Sequence, residues 1–437
     1  MRPSSSPRWA VADVTGTQPA DDAPGRRPTA AHGTETAPLV LDDLLAGPRG
    51  RRVCLEIAFQ VLEVWQVPWR CHDDPRLMSG RLAEILGALT LVAATPDQVA
   101  ERAHERETGR PPLAPDEEAP GRSRTTGTVP LDLSVESVSL ALTASVDAAR
   151  YWEPPDEWDL ALALPVGREA LRQVAELLVT SPATRWWTAP VDTEDLHEVE
   201  MLDDEVPSAR SPLTGVDRRL AAWRAAQDEA EARHIGSDRG ARHAIGGDWW
   251  SPPFSARPVV TSAVVPSLGP SGLSTTEDSF GWDWARTWPL RTEHPVEVYE
   301  IDGPDDLARL VARFPLDVSR SRRSYWWEAT GVDTAWWMPD WEAASHHLDA
   351  VHLTVRGYLS TAGRAVPVPG GAIRGTSTVL AGWAPGETLW LTDALSPDGP
   401  QTLWQRRPDE VLWDPVAPGT PVTHETAQGF DTPPPHN

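Results

Sequence analysis

The sequence predicts an α+β fold in which a helical N-terminal half packs on a mixed α/β, strand-rich C-terminal half. Two observations carry this expectation. Before residue 180 apolar residues recur at helical spacing, and beyond Pro258 they gather into short β-branched runs separated by Gly and Pro. A chain of 437 residues is long enough for two or three domains at roughly 100–200 residues each.

Residues 1–37 hold many Ser, Pro, Thr and Ala and few large apolar residues, so a disordered N-terminal tail is expected. A mainly helical domain is expected over 38–180. Its first helix runs through Arg52–Trp65 with Val53, Ile57, Val61 and Val64 on one stripe. Pro75 opens a second, through Ala94, apolar nearly all round and therefore central. Thr95-Pro96-Asp97-Gln98 carries the start signals of a third, and Glu107–Val129 reads as a charged, Pro-rich linker. Val135–Arg150 is helical with Val138, Leu142 and Val146 inward. Trp158–Leu164 alternates like a strand, and Arg168–Thr180 returns to helix with Leu171, Val174, Leu177 and Leu178 inward.

Residues 181–416 form an expected Trp-rich α+β domain. It holds two similar stretches, Arg185–Val191 and Asp248–Phe254, read as at most a duplicated half-unit. Between them lie the acidic stretch Asp192–Glu205 and an exposed helix, Val216–His234. Strands are expected at Val259–Val265, Val296–Ile301, Ala350–Val355, Thr378–Trp383 and Thr388–Thr392, with a helix at Pro304–Phe314. Residues 417–437 read as a disordered C-terminal tail.

Composition excludes whole reaction classes. All 39 basic residues are arginine, so PLP Schiff-base chemistry, Walker-type ATP binding and the protein-kinase lysine are ruled out, and no cofactor is predicted. Scarce Lys, Asn and Ile beside abundant Ala, Arg and Pro is the signature of a GC-rich genome. The net charge of −25 argues against bulk nucleic-acid binding and against an anionic membrane surface. Two cysteines make no disulfide framework, no apolar leader core opens the chain, and the run Ile85–Ala94 is too short to span a bilayer. A cytoplasmic location is the expectation.

Three segments could carry chemistry. In His346-His347-Leu348-Asp349-Ala350-Val351-His352, the histidines 346, 347 and 352 are candidate metal ligands, and Asp349, His352 and His347 candidate catalytic groups. On a regular strand Asp349 and His352 face opposite ways, which makes a solvated turn before a buried strand the plainer reading. In Ser319–Trp327, Arg320, Arg322, Arg323, Trp326 and Trp327 suit a phosphate or a stacked base; pairing with the chain's own carboxylates is the alternative. Cys71-His72-Asp73-Asp74 holds an isolated His-Asp pair. Ile301–Asp306 is a strand-to-helix turn, with Pro304 at the first helical position and two acids on the helix dipole.

Asp349-Ala350-Val351-His352 with Gly357-Tyr358 resembles the last block of the SGNH (GDSL-type) hydrolases, where such an Asp and His serve a nucleophilic Ser. No Gly-Asp-Ser occurs in this chain, so no triad is carried over. A longer stretch resembles an uncharacterised family of actinobacterial conserved hypothetical proteins. Its residues here are Glu277-Asp278-Ser279, Tyr299–Asp306, Ser321-Arg322-Arg323, Trp327, Thr330-Gly331, Pro339-Asp340-Trp341, Asp349–Leu359, Ala381-Gly382-Trp383 and Thr388–Leu391. That resemblance implies no activity.

The 22 tryptophans outnumber 5 Phe and 4 Tyr, and include doublets at 186–187, 249–250, 326–327 and 336–337. On a strand each doublet would put one ring in the core and one outside. The leading expectation is a non-enzymatic protein that binds a protein partner through a Trp-rich C-terminal surface. The alternatives are a hydrolase or phosphate-ester enzyme around Asp349 and His352, and a carbohydrate- or nucleotide-binding module.

Overall fold

The computed structural model describes residues 37–61, 133–202, 210–233, 248–277, 279, 281–370, 375–407 and 412–417. The expected helices at 75–94 and from 95, the 107–129 linker, Cys71–Asp74 and nearly all of both expected tails lie outside the described residues.

Helix α1 (Leu41–Leu45) leads into α2 (Pro48–Val61), which other elements surround. Residues 49–59 of α2 are buried on every face, so its charged side chains need internal partners. Arg51 Nη1 donates to the Leu45 and Ala46 carbonyls at the end of α1, where a cation complements the helix dipole. Arg52 pairs with Glu56 at 3.1 Å and with Asp156 at 3.0 Å. Arg49 pairs with Asp159 and donates to the Ser145 carbonyl at 2.9 Å.

Helix α3 (Val135–Asp147) is capped by the Ser134 hydroxyl, and Val138, Leu142 and Val146 are fully buried as their spacing predicts. The expected strand at 158–164 is instead helix α4 (Glu157–Ala163). Asp156 caps it by accepting from the Asp159 amide at 2.7 Å. The apolar alternation misleads because Trp158 and Leu162 turn inward while Leu160 and Leu164 remain 57 % and 54 % exposed. Helix α5 (Pro165–Thr180) buries Leu171, Val174 and Leu178, but Leu177 points outward. Helix α6 (Val216–Arg233) turns only Val216, Leu220, Trp223 and Gln227 inward, and Asp393 accepts the Gly215 and Val216 amides at its start. Helices α7 (Pro304–Arg313), α8 (Arg323–Thr330), α9 (Trp341–Ser345) and α10 (Val355–Thr361) follow.

The main sheet is built from β1 (Leu196–Leu202), β2 (Val260–Ser262), β3 (Trp284–Thr292), β4 (Val298–Ile301), β5 (Ala350–Leu353), β6 (Glu387–Trp390), β7 (Leu395–Pro397), β8 (Thr402–Arg406) and β9 (Trp413–Pro415). Its order is β9-β8-β3-β1-β2-β6-β5-β4, with β7 also on β3. Every pairing is antiparallel except β4 with β5, whose crossover carries α7, α8 and α9. A smaller sheet joins 366–367, 376–378, 335–339 and 315–317 in that order. The mixed architecture is therefore α+β, as the sequence predicts. Three expectations shift in detail. Strand β1 sits inside the acidic stretch, where Arg210 neutralises Glu198 at 2.7 Å. The strand expected at 378–383 ends at Thr378, and that at 350–355 ends at Leu353, because Thr354 caps α10 by accepting from the Gly357 amide at 2.9 Å.

One apolar cluster runs from Leu39 to Leu391 and draws on both halves of the chain. Tryptophan fills much of it. Trp326 meets Trp336 edge-on at 5.7 Å and Trp341 meets Trp383 at 5.7 Å. One indole of each pair reaches a backbone carbonyl, Trp326 Nε1 donating to Trp249 at 2.7 Å and Trp341 Nε1 to Ser251 at 2.9 Å, whereas Trp336 Nε1 and Trp383 Nε1 are buried without a partner. The doublets occupy a 3-10 turn, a loop, helix α8 and a strand, so alternation on a strand explains only 336–337. Three of the four doublets bury one ring fully, and no described tryptophan is exposed.

Gly357 sits where α10 crosses β4, and a Cβ there would run into the Ile301 carbonyl oxygen, which is backbone and cannot yield cheaply. Gly357→Ala should therefore destabilise the fold by about 1–3 kcal/mol. The check is a urea titration, in which a lowered midpoint at unchanged slope is expected; an unchanged midpoint would show that α10 moves freely off β4.

Candidate functional site

The structure disperses the residues singled out from the sequence. His346 is exposed and lies 3.4 Å from Glu342, while the exposed His347 stacks on Phe314 with ring centres 5.6 Å apart. Asp349 staples two strands together, accepting from the Glu297 amide at 2.8 Å and from the Thr392 hydroxyl at 2.9 Å. His352 lies in the interior of β5, its Nδ1 2.8 Å from the Thr388 hydroxyl in the register position opposite on β6. Among the described residues Asp349 and His352 share no hydrogen-bond partner, and no group of three or more His, Cys, Asp and Glu could hold a metal ion.

Burial governs His352 and its neighbour Glu300. The histidine is lowered to about 4 by desolvation, against a hydrogen bond to Ala189, and Glu300 is raised to about 7 by desolvation. Their 3.9 Å approach is thus between two neutral groups over most of the interval from about 4 to 7, not an ion pair.

The basic segment serves the chain's own acids. Glu231 accepts from the Arg320 and Ser321 amides at 3.1 and 2.8 Å. Arg322 is buried, donating to Gln227 at 3.0 Å with Asp248 at 3.5 Å, and Arg323 pairs with Asp333 at 2.8 Å. Trp326 lies in the core and Trp327 is half-buried.

A different constellation converges instead. Arg49 comes from α2, Tyr151 from the segment after α3, Glu277 from the segment after the 271–273 turn, Tyr358 from α10 and Glu387 from β6. Tyr358 Oη donates to Glu277 Oε1 at 2.8 Å, and the Tyr151 hydroxyl lies 3.4 Å from that of Tyr358. The Tyr151 phenol and the Gly382 amide lie close enough to the Glu277 carboxyl to favour its charged form. Gly382 has φ +74°, and a side chain there would strike Trp250 and approach Trp249, so this turn beside the carboxyl requires glycine. Glu387 Oε2 accepts from the Ala384 amide at 3.2 Å.

Desolvation raises Glu277 to about 7, against the two tyrosines, the nearby Arg49 charge and the Gly382 amide. Desolvation raises Glu387 to about 8, against the Ala384 amide and with the Glu277 charge adding to it. Both phenols are pushed well above their ordinary value by burial first and by Glu277 second. Three buried polar atoms of this region have no hydrogen-bond partner: Glu277 Oε2, Arg49 Nε and Ser271 Oγ, the last beside Gly386. Half-buried aromatic rings adjoin it. Trp249 is 6.2 Å from Tyr151 and 4.7 Å from Trp152, and the row continues through Trp250 at 5.7 Å to the exposed Phe254 at 6.5 Å.

Motif reading missed this group because its members lie up to 338 residues apart, from Arg49 to Glu387, and none sits in a local signature. No family model matches the chain, and the curated proteins and solved structures give no match either.

Glu277, Glu300 and Glu387 keep a proton in the fold at pH values where the unfolded chain, near its ordinary 4.5, has lost it. The native state then binds more protons than the unfolded state, so these groups lower stability as pH rises from about 4.5 to about 8. His352 acts in the opposite sense, and only below about 6.5. Glu387→Gln should therefore raise the Tm relative to wild type at pH 8 and leave the difference small at pH 5. Differential scanning calorimetry across that interval is the check, and a pH-independent difference would contradict the assignment.

Proposed function

We propose that this chain is an enzyme of the hydrolase type in which Glu277 transfers a proton to an uncharged polar substrate. The observation that carries the reading is the state of its carboxyl. One oxygen is held by Tyr358, the other is buried without a partner, and the group changes charge near neutrality. A general acid works best when its pKa lies near the operating pH, and burial beside a second carboxyl is the usual way to bring a glutamate there. Tyr358 fixes the carboxyl's orientation, with the Tyr151 hydroxyl placed behind it.

The alternative of a protein-binding surface made of Trp doublets has less support, since every described tryptophan is at least half-buried. Exposed large apolar residues instead gather in the helical half, as Leu160, Leu164, Val166 and Leu177.

Glutamate labelled with ¹³C at the carboxyl tests the central premise. One resonance, absent from Glu277→Gln, should titrate with a midpoint near 7. A midpoint near the ordinary 4.5 would overturn the proposal.

A further inference from the structure

Resting on the proton-transfer role of Glu277, we infer that the substrate is a neutral carbohydrate, seated between the Glu277 carboxyl and the Trp152–Trp249 pair and cleaved at a glycosidic bond.

Charge is the first argument. Arg49, a cation at this site, is already paired with Asp159, and the Glu277 carboxyl offers an anion no counter-charge. A phosphorylated ligand would therefore bring charge that the site does not meet. Hydrogen-bonding capacity is the second. The unpartnered atoms are a donor, Arg49 Nε; a hydroxyl that can donate or accept, Ser271 Oγ; and a carboxyl oxygen, Glu277 Oε2. Buried polar atoms left without protein partners need one from elsewhere, and a polyhydroxylated ligand satisfies donors and acceptors alike. Shape is the third. Half-buried Trp152, Trp249 and Trp250 lead from Tyr151 to Phe254, which is 39 % exposed, and so extend an aromatic wall from the carboxyl to the surface. Indole rings present flat apolar faces that match the C–H face of a sugar, with a polar edge beside them.

The reaction balances with water as the only co-reactant. Glu277 gives its proton to the glycosidic oxygen as the bond from the anomeric carbon to that oxygen breaks. The bonding pair stays on the oxygen, which leaves as an alcohol. Water then adds to the anomeric carbon and returns its spare proton to Glu277, leaving the enzyme unchanged.

The test uses the full chain with the p-nitrophenyl glycosides of glucose, galactose, mannose, xylose and N-acetylglucosamine. Wild type should release nitrophenolate from at least one of them. Glu277→Gln, which keeps the shape, should lower kcat by about 10²–10⁴-fold with little change in KM. Trp152→Phe, backed by Trp152→Ala, should raise KM about tenfold or less with little change in kcat, one stacked ring being worth at most about a factor of that order. Near-UV circular dichroism checks that each variant is folded. If no glycoside is cleaved and the free sugars leave the tryptophan fluorescence unchanged, the carbohydrate assignment fails. A Glu277 midpoint near 7 in the same sample would leave the proton-transfer reading standing, whereas a midpoint near 4.5 would overturn both.

Discussion

The structure depends on the burial of the Arg49 guanidinium in the first turn of helix α2. An uncompensated buried charge costs several kcal/mol, so the elements around α2 are arranged to match it. Asp159 at the start of α4 supplies the counter-charge and Ser145 near the end of α3 supplies a carbonyl, while the Ser145 hydroxyl donates back to the Arg49 carbonyl at 2.8 Å. These contacts fix α3 and α4 against α2. They also leave the positive charge next to Tyr151, Tyr358 and Glu277, so the helical half supplies part of the electrostatics of a site whose carboxyls come from the C-terminal half.

Tryptophan is the second constraint. With 5 Phe among 437 residues, large rings must come from elsewhere, and tryptophans fill the space between the sheet, α8 and α9. Each also carries an N–H that needs an acceptor, and Trp249 and Ser251 offer their carbonyls to Trp326 and Trp341. The loop holding the 249–250 doublet is thereby tied to the core and places Trp249 beside Gly382. A residue excess that reads as a contact surface is therefore mostly packing material, while the half-buried row from Trp152 to Trp250 leads to the exposed Phe254.

The histidine-rich segment and the tyrosine–glutamate cluster show what burial does to similar groups in different surroundings. His352 and Glu300 are each pushed to the neutral form, and the histidine is held by Thr388 in a closed strand pair. Glu277 is pushed the same way and, like Glu300, keeps a carboxyl oxygen without a partner, but it stands beside half-buried aromatic rings instead of a closed strand pair. The surroundings of the unsatisfied atom, and not the shift alone, distinguish the two carboxyls.

The sequence by itself determined the α+β class, the helices at 135–147, 165–180, 216–233 and 304–313, and the strands at 260–262, 298–301, 350–353 and 387–390, because these depend on the spacing of apolar side chains along a single element; it missed others, among them the long strand at 284–292. It misread 158–164, where two alternating leucines face solvent and only the Asp156 cap decides for helix. It also made the histidines look like a site, since adjacency in sequence is easily seen. The cluster of Arg49, Tyr151, Glu277, Tyr358 and Glu387 was decided by tertiary structure alone. Its members come from five separate segments, and the desolvation that shifts their carboxyls exists only once those segments have packed together.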